Sequence, residues 1–66
     1  MIIVANGEDR EIPEGATAEA LLAALDLGDV RVAFELNGLI VPRERYAETP
    51  LSEGDRVEIV TFVGGG

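Results

Sequence analysis

A chain of 66 residues is long enough for one domain with a thin core, because folding at this size hides only about 60% of the unfolded surface. The chain contains no cysteine and no histidine, which excludes disulfides, thiol nucleophiles, imidazole bases and zinc sites built from these ligands. The formal net charge of −8 argues against nucleic acid, whose phosphates need clustered Lys and Arg. It favours a basic surface on another protein, or it serves only to keep the protein soluble.

Targeting signals are not evident in the sequence. No apolar run approaches the length of a membrane span, and Met1 to Ala5 are followed at once by a polar turn rather than by a signal-peptide pattern. We therefore expect a cytoplasmic protein.

The first elements form a hairpin and a helix. Met1 to Ala5 predict a strand, Asn6-Gly7 a two-residue turn, and residues 8–12 a short return strand that Pro13 ends. Thr17 is the predicted N-cap of a helix. One helical face carries the apolar positions, which are spaced i, i+3, i+4 and i+7: Ala18, Leu21, Leu22 and Leu25. Gly28 is the predicted C-terminal stop of this helix.

A second hairpin follows the helix. Alternating residues 32–37 predict a third strand, Asn37-Gly38 its turn, and residues 39–41 a fourth strand that ends at Pro42. Residues 43–53 lack sustained periodicity, so we expect a loop with a helical turn whose Tyr46 and Leu51 pack onto the core. The charged residues of this loop are expected to be solvated, and Glu53 and Asp55 to serve turn formation rather than catalysis.

The last strand, from Arg56 to Val63, alternates with a period of two. Val57, Ile59, Thr61 and Val63 fall on one face, and Glu58, Val60 and Phe62 on the other. We expect Val60 and Phe62 to lie on the side of the sheet that no helix covers, next to Ile2 or Val4, and to form a docking surface for a partner. A one-residue error in register would move both side chains into the core.

The order of strand, strand, helix, strand, strand, loop and strand predicts an α+β fold, the β-grasp. It has a mixed sheet of about five strands, one main helix on one face, and the last strand central beside the first. Residues 1–63 form the single domain, and Gly64, Gly65 and Gly66 are predicted to be a flexible tail, since glycine loses the most freedom on ordering. If only the three glycines are considered, they could equally be a disordered terminus or residues left by cloning, rather than a segment that carries a functional carboxylate.

Four features together resemble a known family. Asn37-Gly38, Val41-Pro42-Arg43, the Gly54-Asp55 turn and the terminal glycines occur in the order and spacing of the ThiS family, the ubiquitin-like sulfur carriers of thiamine biosynthesis. The resemblance extends from Met1 to Gly66. Tyr46 departs from it, since members often carry tryptophan there.

The resemblance implies a mechanism in which Gly66 is modified. A ThiF-type enzyme uses ATP to adenylate the Gly66 carboxylate, and sulfur drawn from cysteine by a desulfurase replaces AMP to give a thiocarboxylate. The thiazole synthase ThiG then accepts the sulfur. The protein is thus expected to be a co-substrate rather than an enzyme, to bind no cofactor or metal, to contact neither nucleic acid nor membrane, and to be monomeric when free.

Three alternatives remain open at the level of sequence. A sulfur carrier for molybdopterin synthase shares the fold and the terminal glycines, although residues 61–63 lack the Pro-Pro pair common in those carriers. A ubiquitin-like modifier would join Gly66 to lysines of target proteins. A plain interaction module would leave the glycines inert.

Overall fold

The computed structural model describes residues 1–27 and 30–62. These residues form a single five-stranded sheet in the order β2-β1-β5-β3-β4. In chain order the elements are β1 (Ile2–Ala5), β2 (Glu8–Glu11), helix α1 (Ala18–Ala24), β3 (Arg31–Leu36), β4 (Leu39–Val41), a 3-10 helix (Arg43–Glu48) and β5 (Arg56–Phe62).

Strand β5 is central, as predicted for a β-grasp. It runs parallel to β1 and antiparallel to β3. Its pairing with β3 extends over six residue pairs, from Leu36 opposite Val57 to Arg31 opposite Phe62. Its pairing with β1 is much shorter and covers only Val4 opposite Arg56 and Ala5 opposite Val57. The carboxyl-terminal half of β5 is therefore paired with a strand on one side only.

Both Asn-Gly dipeptides form the predicted hairpin turns. Asn6 and Gly7 have φ angles of 51° and 81°, and Asn37 and Gly38 have φ angles of 52° and 85°. Two consecutive positive φ angles are what a two-residue turn matched to the twist of a β-hairpin requires. The two asparagines thus occupy a conformation that few other side chains tolerate.

Helix α1 begins as predicted and ends earlier than predicted. The Thr17 hydroxyl accepts a hydrogen bond from the Ala20 N–H at 3.2 Å. The helix ends at Ala24, and Asp26, with φ 52°, takes the left-handed conformation beyond it. The prediction that Gly28 stops the helix is wrong for this reason, because the turn is made two residues earlier; Gly28 itself lies outside the described residues.

The core lies between α1 and one face of the sheet. The largest of the side chains that are almost completely buried come from both layers: Phe34, Ile3, Leu21 and Val57. Leu51 is buried and Tyr46 is partly buried, as expected of the loop. The Tyr46 ring packs against Phe34 with centroids 5.6 Å apart and a tilt of 49°. The loop before β5 therefore closes one side of the core.

In the part of the chain that the structure describes, α1 and the 3-10 helix are both too short to cross a bilayer. No helix of the described residues lies on the other face of the sheet, and we call this face the open face. It presents Glu58, Val60 and Phe62 of β5, all of them exposed.

Candidate functional site

The carboxyl-terminal half of β5 places an apolar pair on the open face. Val60 and Phe62 each keep 53% of their surface exposed, while Val57 and Ile59 of the same strand are buried in the core. The alternation predicted for this strand is therefore confirmed over the described residues. Val63, whose side was also predicted, lies outside them.

The neighbours of this pair come from β3 and not from β1. Val60 lies opposite Ala33, and Phe62 lies opposite Arg31. We call Val60, Phe62 and Ala33 the β5 patch. Ala33 adds a small side chain next to Val60, so Val60 is not covered by its direct neighbour on β3.

The expectation that Ile2 or Val4 extends this patch is wrong. Strand β1 is level with the beginning of β5, since Val4 lies opposite Arg56. Val60 follows Arg56 by four positions, a distance of about 13 Å at the rise of a strand. Ile2 and Val4 therefore belong to the far end of the open face.

Asn6 forms an amide pair with β5 that the sequence did not reveal. Its Nδ2 donates to the Ile59 carbonyl at 3.1 Å, and its Oδ1 accepts from the Ile59 N–H at 2.7 Å. Its backbone N–H donates to the Val57 carbonyl at 2.9 Å. One side chain thus pairs with both backbone groups of Ile59, two residues beyond the end of the strand pairing with β1 at Val57.

Asn37 has a similar role at the beginning of β5. The Arg56 N–H donates to Asn37 Oδ1 at 2.9 Å, and Asn37 Nδ2 donates to Asp55 Oδ1 at 3.1 Å. The second oxygen of Asp55 accepts from the Ser52 N–H at 2.7 Å. Asp55 therefore serves the turn before β5, as predicted, and the two hairpin asparagines bond to the beginning and the middle of the central strand.

The remaining charged candidates show turn and surface roles. Glu53 Oε1 accepts from the Ile2 N–H at 2.8 Å and so ties the turn to β1. Arg43, Glu44 and Arg45 are exposed on the 3-10 helix. Within residues 1–27 and 30–62, no group of three Asp or Glu side chains is arranged to hold a metal ion.

The predicted site residues Gly64, Gly65 and Gly66 lie outside the described residues. What the structure describes is the strand that leads to them. Phe62, the last residue of β5, precedes Gly66 by four positions. A fully extended chain covers at most about 14 Å over that separation.

The sheet is mixed and five-stranded, its first and last strands form a central parallel pair, and one α-helix lies across one face. This arrangement defines a ubiquitin-like β-grasp protein. A family model described as ThiS family matches residues 3–66, and the chain belongs to this family.

Relatives named as sulfur carriers match along nearly their whole length. The sulfur carrier protein ThiS of Bacillus subtilis is 42% identical over 62 residues, which cover 92% of this chain and 94% of the relative. The protein of the same name from Escherichia coli is 32% identical over 66 residues, and the match covers 100% of both chains. A crystal structure of the thiamine biosynthesis protein ThiS from Geobacter metallireducens superimposes with a TM-score of 0.84 at 35% identity over 100% of both chains.

A second kind of relative is much longer. A protein named thiazole synthase from Paramagnetospirillum magneticum is 46% identical over 66 residues. The match covers 100% of this chain and only 20% of that protein. The chain therefore spans about a fifth of the length of this relative.

Proposed function

We propose that this protein is a sulfur carrier of thiamine biosynthesis that carries sulfur as a thiocarboxylate on Gly66. The observation that carries the proposal is the match along the whole chain to relatives named sulfur carrier protein ThiS. The terminal Gly65-Gly66 pair adds chemical support, because a backbone without Cβ atoms fits a narrow active-site channel.

The chemistry follows from the poor reactivity of a carboxylate. An oxygen of the Gly66 carboxylate attacks the α-phosphorus of ATP in a ThiF-type enzyme, pyrophosphate leaves, and an acyl-adenylate forms. A cysteine desulfurase supplies persulfide sulfur, which a thiol reduces to the level of sulfide. This sulfur adds to the carbonyl carbon, AMP leaves, and the product is a thiocarboxylate.

The composition limits where sulfur can be held. The 66 residues include no cysteine, so no side chain can carry a persulfide. The terminal acyl group is then the position that remains for transferable sulfur. In this scheme the protein is a co-substrate, and ATP is bound by the activating enzyme.

The β5 patch is the proposed docking surface for the activating enzyme. Val60 and Phe62 are apolar, exposed and only a few residues from Gly66. Because the chain between Phe62 and Gly66 reaches at most about 14 Å, a partner that binds the patch must have its reactive site within that distance. Docking and delivery of the carboxylate are thus coupled by geometry.

Thiazole synthase is the proposed acceptor of the sulfur. Support comes from the relatives of that name in Paramagnetospirillum magneticum and Magnetococcus marinus, whose segments similar to this chain are 46% and 41% identical to it. In those polypeptides a segment similar to this carrier is part of the same chain as the rest of the named protein. Where the carrier and thiazole synthase are separate proteins, we expect them to bind each other.

Pyrophosphate release tests the activation step. The protein, ATP and a ThiF-type enzyme should release pyrophosphate, whereas a variant that lacks Gly65 and Gly66, or one with an alanine added after Gly66, should release none. Circular dichroism should show nearly the same melting temperature for both variants, because they leave the described body of the fold unchanged. Pyrophosphate release at the wild-type rate by the shortened variant would refute the role of the tail. Conjugates of higher mass with other proteins would instead indicate a modifier.

A further inference from the structure

The Asn6 side chain is the last contact that β5 makes on the β1 side. Strand pairing with β1 ends at Val57, and the Asn6 amide extends it to Ile59. Among residues 1–27 and 30–62, no hydrogen bond from β1 or β2 reaches β5 beyond Ile59. Within the described part of the chain, residues 60–62 pair with β3 and with no other strand, with Val60 opposite Ala33 and Phe62 opposite Arg31.

This contact lies where the strand changes from a central strand to an edge strand. A central strand has its direction fixed from both sides, whereas an edge strand can twist away from its single neighbour. The amide of Asn6 fixes the backbone of Ile59 one residue before Val60. It therefore limits the directions in which the β5 patch can turn away from the rest of the sheet.

We propose, on the basis of the function proposed above, that Asn6 is a positioning residue for delivery of Gly66 to the activating enzyme. Without its amide, the end of β5 samples more directions, and the enzyme must select among them when it binds. Loss of the amide should therefore weaken binding of the carrier and leave the chemical step unchanged. The enzyme aligns the end of β5 once it is bound, with or without the Asn6 amide. The expected signature is a higher KM for the carrier with little change in kcat.

The chain offers a matched control for this proposal. Asn37 has nearly the same φ angle as Asn6, 52° against 51°, and precedes a glycine in the same kind of turn. Its Oδ1 accepts from the Arg56 N–H at 2.9 Å, about 10 Å along β5 from Ile59 at the rise of a strand. Loss of its amide removes comparable contacts at the end of β5 that is far from Gly66.

The test compares Asn6→Gly with Asn37→Gly. Glycine accepts the positive φ angle of the turn and deletes the side chain with its amide, and the added freedom of the unfolded backbone is the same in both variants. Pyrophosphate release is measured at a temperature at which circular dichroism shows that all variants are folded. Asn6→Gly should raise KM about fivefold, which corresponds to about 1 kcal/mol at 1.4 kcal/mol per factor of ten, and Asn37→Gly should leave KM unchanged. Asn6→Asp, which keeps an acceptor for the Ile59 N–H, should give an intermediate KM and replaces Asn6→Gly if that variant does not fold.

A second measurement needs no enzyme. Amide hydrogen exchange at Val60 and Phe62 should accelerate in Asn6→Gly and not in Asn37→Gly, because local opening near the lost contact becomes easier. Equal KM values and equal exchange rates in the two variants would overturn the role of Asn6. If the wild-type protein releases no pyrophosphate, the proposed function fails, while the exchange rates still decide whether Asn6 positions the end of β5.

Discussion

Replacement of Phe62 by alanine tests whether the β5 patch is a docking surface. Phe62 keeps 53% of its surface exposed, and complete burial of a phenylalanine side chain is worth about 1.5–3 kcal/mol. Docking that covers the exposed part would therefore contribute about 0.8–1.6 kcal/mol, which is about 4- to 14-fold in KM. Phe62→Ala should raise the KM of the carrier for the activating enzyme by that factor. The free energy of unfolding should change little, because the ring is half exposed in the free protein.

Leu39→Ala is the control for exposed apolar surface in general. Leu39 is more exposed, at 73%. It lies at the edge strand opposite Leu36, on the other face of the sheet from Phe62. Steady-state pyrophosphate release at varied carrier concentration gives both KM values. An equal rise in KM for the two variants, or no rise for Phe62→Ala, would refute a specific role of the patch.

Three further predictions concern the core, the helix and the net charge. Leu21→Ala should lower the free energy of unfolding, measured by urea denaturation, by about 2–5 kcal/mol, because Leu21 is only 1% exposed. Leu22→Ala changes a partly buried position and should lower it less. Equal losses in the two variants would contradict the packing of α1. Thr17→Ala should cost about 1 kcal/mol by loss of the N-cap, whereas Thr17→Ser should retain most of the stability; a loss as large in Thr17→Ser would contradict the capping role. If the charge of −8 promotes encounter with a basic partner, the association rate measured by stopped flow should fall as salt rises, and a rate independent of salt would contradict that role.

The sequence was sufficient to predict the elements and their arrangement because the strong local signals agree with one another. The two Asn-Gly turns, the spacing of the helix face and the alternation of β5 each predict one kind of element, and together they predict one helix packed on one sheet. The end of α1 was misplaced because the left-handed residue is Asp26 rather than the glycine that such positions favour.

The surroundings of the candidate site were harder to predict for a different reason. The fold class predicts that β1 and β5 are neighbours, but it does not predict which residues lie opposite each other. The pairing of the two strands is parallel and covers only two residue pairs, and the sequence carries no signal for its register. Ile2 and Val4 were therefore placed beside Val60 and Phe62 in error. The Asn6–Ile59 amide pair was missed because the hairpin turn is a sufficient reason for an Asn-Gly dipeptide. Nothing in the sequence shows that the Asn6 amide contacts a residue 53 positions away.

The central claim is that sulfur is carried on the acyl group of Gly66. Intact-mass measurement on the protein isolated from cells that contain the activating enzyme and a cysteine desulfurase tests it most directly, with fragmentation to locate any change. We expect a species heavier by the difference between a sulfur and an oxygen atom, with the added mass on Gly66 and absent from the variant that lacks Gly65 and Gly66. An unmodified mass under these conditions, or the same gain at another residue, would contradict the claim.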